Sequence, residues 1–441
     1  MVSGLEHSLW YSIVTVASAM LLGGGLAVAE RLWQQPVRRW FMVLMMIPIF
    51  LPPVVVTTSF IATFGTQGIF PLKILYSPVA VVLAYCYYNI PLAYLLLRSA
   101  VSRISPATEA AAQLLGANRW QRLTTVLLPQ LWIPLLGTAG LIFLYSFTSF
   151  ILPLQLGSIH GYTLEVWLYQ RIYLYHTYGI AMIAALIQLS IIGSVLFIIG
   201  RFLRAIMIST VTPEQFGRTQ FSFKLISVVY ASLIMLPLIG FVVKILSHST
   251  SDDVMTLLNS HFISSLLRTV LVTMLVIFLT TSLVFIGRFG TKGALLLLAL
   301  SPVTVSFVWY QWFGQGYVSL IGALLMTTLP ISMILIQHAR QQYAKFFLDT
   351  ARLLGASWWQ RILLEVQLLQ PTMRQIVVFG GILVIGDATI SSALTPTAQP
   401  LAMPYAMQLI GSYRFGVGSL ALLAILLLII LLSTFSYARR P

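Results

Sequence analysis

Eleven stretches of about 20 apolar residues follow one another along this chain, roughly 8–29, 41–63, 78–97, 131–156, 178–200, 223–246, 263–286, 294–313, 317–337, 374–395 and 418–437. About 20 such residues let an α-helix cross the hydrocarbon of a bilayer. Only 8% of the 441 residues are charged and 59% are hydrophobic, whereas a water-soluble domain carries about 25% charged residues. So few charges cannot cover a surface facing water. The expected fold class is therefore an all-α polytopic membrane protein of about eleven transmembrane helices.

The net charge of +15 would point to nucleic acid in a soluble protein. Its distribution points elsewhere. With the N-terminus placed outside, 20 of the 25 Lys and Arg residues fall on inner loops and helix ends. Lys73, Arg171, Lys244, Arg268 and Arg414 are left on the outer side. That asymmetry is the positive-inside pattern. It sets the N-terminus outside and the C-terminus in the cytoplasm, and it explains the basic balance without a nucleic-acid partner. Met1–His7 lacks the basic start of a cleavable signal, so the first apolar run is expected to stay as a membrane helix. The single cysteine, Cys86, excludes an intrachain disulfide and any multi-cysteine metal site.

One polar segment is read twice. Residues 112–122 are Ala-Gln-Leu-Leu-Gly-Ala-Asn-Arg-Trp-Gln-Arg and residues 351–361 are Ala-Arg-Leu-Leu-Gly-Ala-Ser-Trp-Trp-Gln-Arg, with eight of eleven positions identical at an offset of 239. Each copy lies between long apolar runs on the inner side. Five helices carry the first copy and five the second, with 223–246 as an odd helix that gives both sets one orientation. Five, one and five describe two parallel repeats, a transporter plan. The halves are expected at 1–204 and 223–441, joined by a polar cytoplasmic linker at 205–222 that contains Pro213 and Gly217.

Local rules shape each copy. Ser105 precedes Pro106 at a helix start, and Glu109 stands in the first turn, where an anion is favoured. Ala110, Ala111 and Ala112 favour helix, and Gly116 can end it in a left-handed turn. A second short helix should then begin near Asn118 and lead through Pro129 into the next span. The other copy has Asp349, Ala351 and Gly355 in the corresponding places. Each copy therefore reads as a helix–glycine–helix knob with a small-residue face that a partner protein could approach closely. An amphipathic helix lying on the membrane surface is the alternative.

These residues resemble the cytoplasmic coupling motif of ABC importer permeases, Glu-Ala-Ala, three residues, Gly, usually Ala, and later a hydrophobic–Pro pair. Ala111, Ala112, Gly116, Ala117, Leu128 and Pro129 match in the first copy, where Ala110 takes the usual glutamate position and Glu109 precedes it. In the second copy Ala351, Gly355 and Ala356 match, Asp349 replaces the glutamate, Thr350 the first alanine, and Leu368 stands where proline is usual. The two fused halves further resemble the ferric-iron and thiamine importers, the latter through Ser149-Phe150, Leu156-Gly157, Thr163-Leu164-Glu165, Ile385-Gly386-Asp387, Met403-Pro404-Tyr405 and Gly411-Ser412-Tyr413-Arg414. The resemblance implies a type I importer fold in the bacterial inner membrane. It implies coupling segments at 105–122 and 345–361, two copies of an ATP-binding subunit docked on them, and an extracytoplasmic solute-binding protein. It implies thiamine first, and ferric iron second, as the solute.

No phosphate-binding loop of the form G-x-x-x-x-G-K-[ST] is present; Gly287–Gly293 lacks the spacing. ATP and its Mg²⁺ would belong to the partner, and no cofactor or metal is expected on this chain. Asp387, the one acid inside an expected span, could line the solute's path or serve as the polar partner of a helix broken after Gly386. Ser149 occupies the matching region of the first half. The aromatics of 160–178 (Tyr162, Trp167, Tyr169, Tyr173, Tyr175 and Tyr178) suit an interfacial belt, or cation–π contact with a cationic aromatic solute. His248 and His261 flank Asp252 and Asp253 without metal-ligand spacing, and Gly23-Gly24-Gly25 suits close helix packing. An ion-coupled secondary transporter is the competing function, with only Asp387 to carry the ion. A polytopic enzyme is disfavoured because no catalytic set of residues stands out.

Overall fold

The computed structural model describes residues 1–33, 39–157, 161–206, 221–287, 297, 299–341, 345–412 and 414–437. Among these, nine helices are long and apolar enough to cross a membrane, and a tenth span results if one bent pair is counted. All backbone hydrogen bonds of a membrane-spanning helix close within it, which is why apolar runs in lipid become helices. The expected run 294–313 falls partly outside the described residues; its described part is the helix Pro302–Phe313.

Three of the eleven expected spans are not single rods. The run 41–63 is two helices, one ending at Phe50 and the other running Pro53–Phe64, bent by 104°. Pro52 and Pro53 cause the bend, since neither can donate a hydrogen bond to the preceding turn and Pro forces the residue before it out of the helical region. The runs 131–156 and 374–395 start earlier and stop sooner than hydropathy suggests. Their helices are Arg119–Phe147 and Trp358–Gly386, each followed by a separate six-residue helix, Ile151–Leu156 or Thr389–Leu394. Those short helices pack on Pro53–Phe64 and Pro302–Phe313 respectively. The helix starting at Arg119 leads through Pro129 into the span, as expected. A π-helical turn at Arg122–Leu127 leads directly into Leu128–Phe147. The wider turn absorbs the register that the missing proline N–H would otherwise disturb.

The chain divides into two compact units, Met1–Ser247 and His248–Pro441. Most of the linker expected at 205–222 lies outside the described residues. The helix Phe221–His248 packs within the first unit: Tyr230 donates to the Leu22 carbonyl (3.2 Å), Lys244 to that of Gln67 (2.7 Å), and Thr63 to that of Pro237 (3.1 Å). The first unit is built around Val2–Leu32, which packs on Pro78–Val101 and Arg119–Phe147. In the second unit Phe262–Ile286 packs likewise on Tyr317–Ala339 and Trp358–Gly386. Beneath each polar repeat lies an apolar cluster. Leu32, Val101, Ile104, Leu127 and Leu131 form one; Val284, Met333, Ile336, Leu369 and Ile376 form the other.

The triple glycine of the first span works as expected at one position above all. A Cβ on Gly23 would collide with the Ile90 carbonyl of the neighbouring helix, whereas one on Gly25 would meet nothing within 4 Å. Replacing Gly23 by Val should overpack this contact and cost about 3 kcal/mol. Gly25→Ala should leave thermal unfolding in detergent unchanged or slightly raised. Equal melting of the two variants would show that the close approach does not matter.

Candidate functional site

The two copies of the repeat fold into the same elbow. A nine-residue helix runs Pro106–Leu114 in one and Lys345–Leu353 in the other, and the following helices start at Arg119 and Trp358. Every one of these boundaries keeps the offset of 239 residues. Gly116 has φ +83° and Gly355 φ +79°, the left-handed region that costs a side-chain-bearing residue about 1 kcal/mol. In each elbow the glycine N–H donates to the carbonyl of Gln113 or Arg352 (2.9 and 3.1 Å). The next amide, Ala117 or Ala356, reaches back to Ala112 or Ala351 (3.0 Å in both). This pair of bonds is the Schellman closure of a helix C-terminus. Gly116, Ala112 and Ala117, with Gly355, Ala351 and Ala356, are thus the atoms of the turn itself.

The next residues restart the helix. Asn118 accepts from the Gln121 amide while Gln121 Oε1 accepts from the Asn118 amide, both at 2.8 Å. Ser357 and Gln360 repeat the exchange at 3.4 and 2.8 Å. These are capping boxes. Sequence reasoning placed the restart near Asn118 but missed the box, although its signal, Asn or Ser followed three residues later by the repeated Gln, was present.

The tips of the elbows are apolar. Leu114 and Leu115 are 89% and 88% exposed, Leu353 and Leu354 88% and 82%, and Trp120 and Trp359 70% and 68%. Ala111 is exposed, and Ala112 and Ala351 are partly so. Exposed apolar pairs on a polar segment mark a contact surface for another protein. The leucines, more than the alanines, form its crest, and their place in the repeat was the signal available to find them.

The two acids of the repeat part company. Asp349 is exposed. Glu109 points inward, 6% exposed, and accepts a 2.6 Å hydrogen bond from Arg31 Nε at the end of the first span. Arg31 also donates to the Ile104 carbonyl (3.1 Å), and Arg122 to that of Leu32 (3.0 Å). In the second unit Arg340 pairs with Glu365 (2.8 Å) and donates to the Phe285 carbonyl (2.7 Å).

Asp387 sits at the break after Trp358–Gly386. Its carboxylate accepts from the Ser391 amide (2.7 Å), the Ser391 hydroxyl (2.8 Å) and the Ile390 amide (3.4 Å). It therefore caps Thr389–Leu394, the polar-partner reading of this residue. Ser149 lies half-buried in the corresponding break of the first unit. Two further acids lie buried within the helices, Glu30, which the sequence reading did not single out, and Glu165. Glu30 is gripped by Arg98 (2.9 Å) and Tyr94 (3.0 Å). Glu165 accepts from Gln188 at 2.6 Å. Part of the aromatic loop closes on itself: the Arg171 guanidinium lies 5.3 Å from the Trp167 ring and 5.1 Å from Tyr175, so the faces offered to a cation already hold one. Asp253 forms a capping box with Thr250 rather than a ligand set.

Two membrane units, each with a closed elbow crowned by apolar side chains, suit a transport permease. The family described as binding-protein-dependent transport system inner membrane component matches residues 19–209. The thiamine transport system permease protein ThiP of Brucella suis is 24% identical over 95% of this chain and 84% of its own length. Those of Salmonella typhimurium and Escherichia coli are 24% identical over 98% of this chain and 87% of theirs. The protein is a multi-pass inner-membrane permease of the binding-protein-dependent ABC importer class, with two halves fused in one polypeptide. It is a transport component, not an enzyme.

Two predictions follow from this geometry. Gly116→Pro or Gly355→Pro removes an amide donor and forbids positive φ. Each should leave membrane insertion intact while separating ATP hydrolysis from uptake, measured on the reconstituted complex. Asp387→Ala should cost about 1 kcal/mol through the lost cap and lower the detergent melting temperature, whereas Asp387→Asn keeps an acceptor and most of the stability. A loss of uptake as large in Asn as in Ala would mean that the charge itself is required.

Proposed function

We propose that this permease carries thiamine inward, delivered by an extracytoplasmic binding protein and powered by two copies of a separate ATP-binding subunit. The two identically built elbows carry this reading. Each offers a rigid turn with a Leu-Leu-Trp crest, Leu114, Leu115 and Trp120 or Leu353, Leu354 and Trp359, and a duplicated shape suits a duplicated partner. Thiamine comes from the named function of relatives that align over nearly the whole chain; ferric iron is the second candidate. The charge asymmetry supports an outer N-terminus and a cytoplasmic C-terminus, with both elbows facing the ATPase. ATP and Mg²⁺ belong to that partner.

Ser149 and Asp387 mark the helix breaks of their respective halves, and the reading assigns both to the walls of the solute's path. The Asp387 carboxylate, already engaged by Ser391, would act there through the helix end it fixes.

Reconstitution tests the proposal. Proteoliposomes holding the permease should take up labelled thiamine only when the ATPase, ATP and binding protein are all supplied. Uptake driven by a proton or sodium gradient alone would replace this reading with an ion-coupled transporter. Uptake that follows ATP but ignores thiamine would move the substrate to another solute.

A further inference from the structure

Position 109 in the first elbow and position 348 in the second are the same place in the repeat, 239 residues apart. They carry opposite chemistry. Glu109 is buried and ion-paired with Arg31, the side chain that ends the first span, at 2.6 Å. Leu348 packs against the apolar cluster that contains Val284, Ile336, Ala339 and Leu369. Val284 lies near the end of Phe262–Ile286, the helix that opens the second bundle. In both elbows this side chain is the inward peg, while the exposed leucines point the other way.

We propose that the inward peg is the strut through which each elbow moves its own bundle: an ionic strut, Glu109–Arg31, in the first half, and an apolar one, Leu348 on the Val284 cluster, in the second. The inference rests on the elbows being the docking sites of the ATPase. It makes Glu109 a positioning residue turned away from that partner.

The physical argument is one of stiffness. The elbow helix is nine residues long and its outer face is open. A push on Leu114 and Leu115 reaches the bundle only through what the helix touches beneath. Glu109 stands in its first turn, where the helix dipole also favours the carboxylate. Arg31 is held in place by the Ile104 carbonyl, on the loop leading into the same elbow. Removing one partner of a buried pair strands the other charge, whereas replacing both by apolar side chains is often neutral. The second half shows the apolar solution already in use at the equivalent position.

The test uses the full complex of permease, ATPase and binding protein, reading both ATPase co-purification and solute taken up per ATP hydrolysed. Glu109→Gln should keep the ATPase bound and lower uptake per ATP about tenfold, within the range by which residues outside a ligand site change coupling. The double variant Arg31→Met, Glu109→Leu, which converts the first strut into the form of the second, should restore it to within about twofold. Leu348→Ala should lower it about threefold by loosening the apolar strut. Full uptake per ATP in Glu109→Gln would overturn the proposal. So would release of the ATPase, which would place Glu109 in the docking face, or failure of the double variant to recover, which would make the charge itself the requirement. If Glu109→Gln does not insert, the double variant and Leu348→Ala decide alone. Wild-type uptake that needs no ATP would instead refute the parent reading.

Discussion

Inside a bilayer each peptide N–H and C=O must find its partner within the protein, and the departures from straight helix in this permease are arranged around that demand. Where Pro52 and Pro53 interrupt the second span, the new helix begins with proline at its first position, which has no N–H to satisfy. Where Trp358–Gly386 ends, the Asp387 carboxylate receives the amides of the helix that follows. At the elbows the same need is met by the backbone closure at a left-handed glycine and by a reciprocal side-chain box at the helix that follows.

The two halves solve one geometry with different chemistry. The first elbow combines a buried ion pair, an arginine bond to the end of the opening span and a π-helical turn ahead of Pro129. The second has Leu348, Arg340 and Glu365, and a plain α-helix from Trp358 to Gly386 where Leu368 replaces that proline. The elbow helices and their restarts run residue for residue at one offset although the side chains beneath them differ. Backbone closure depends instead on the left-handed Gly116 and Gly355, which both halves keep.

Much of this was legible in the chain. Apolar runs located the membrane helices because lipid leaves the backbone no other choice, and the repeat located the elbows because glycine and capping residues act through local backbone geometry. Hydropathy could not show the breaks at 148–150 and 387–388. Ile151–Leu156 and Thr389–Leu394 are as apolar as the rods before them, and only their packing on Pro53–Phe64 and Pro302–Phe313 separates them. The acids were the poorest guide. Glu109 and Asp349 look alike as carboxylates near the start of the repeat helix, yet one is buried and the other open.

The sequence by itself determined the membrane class, the duplicated segment, the two elbows and their glycine turns, since each follows from composition or from contacts within a few residues. Only the tertiary structure decided that Glu109 meets Arg31, 78 residues away, that Asp387 serves a helix end, and that Leu114, Leu115, Leu353 and Leu354 form the crests. Which way a side chain points from a short helix depends on the distant helix packed beneath it, and local pattern carries no record of that neighbour.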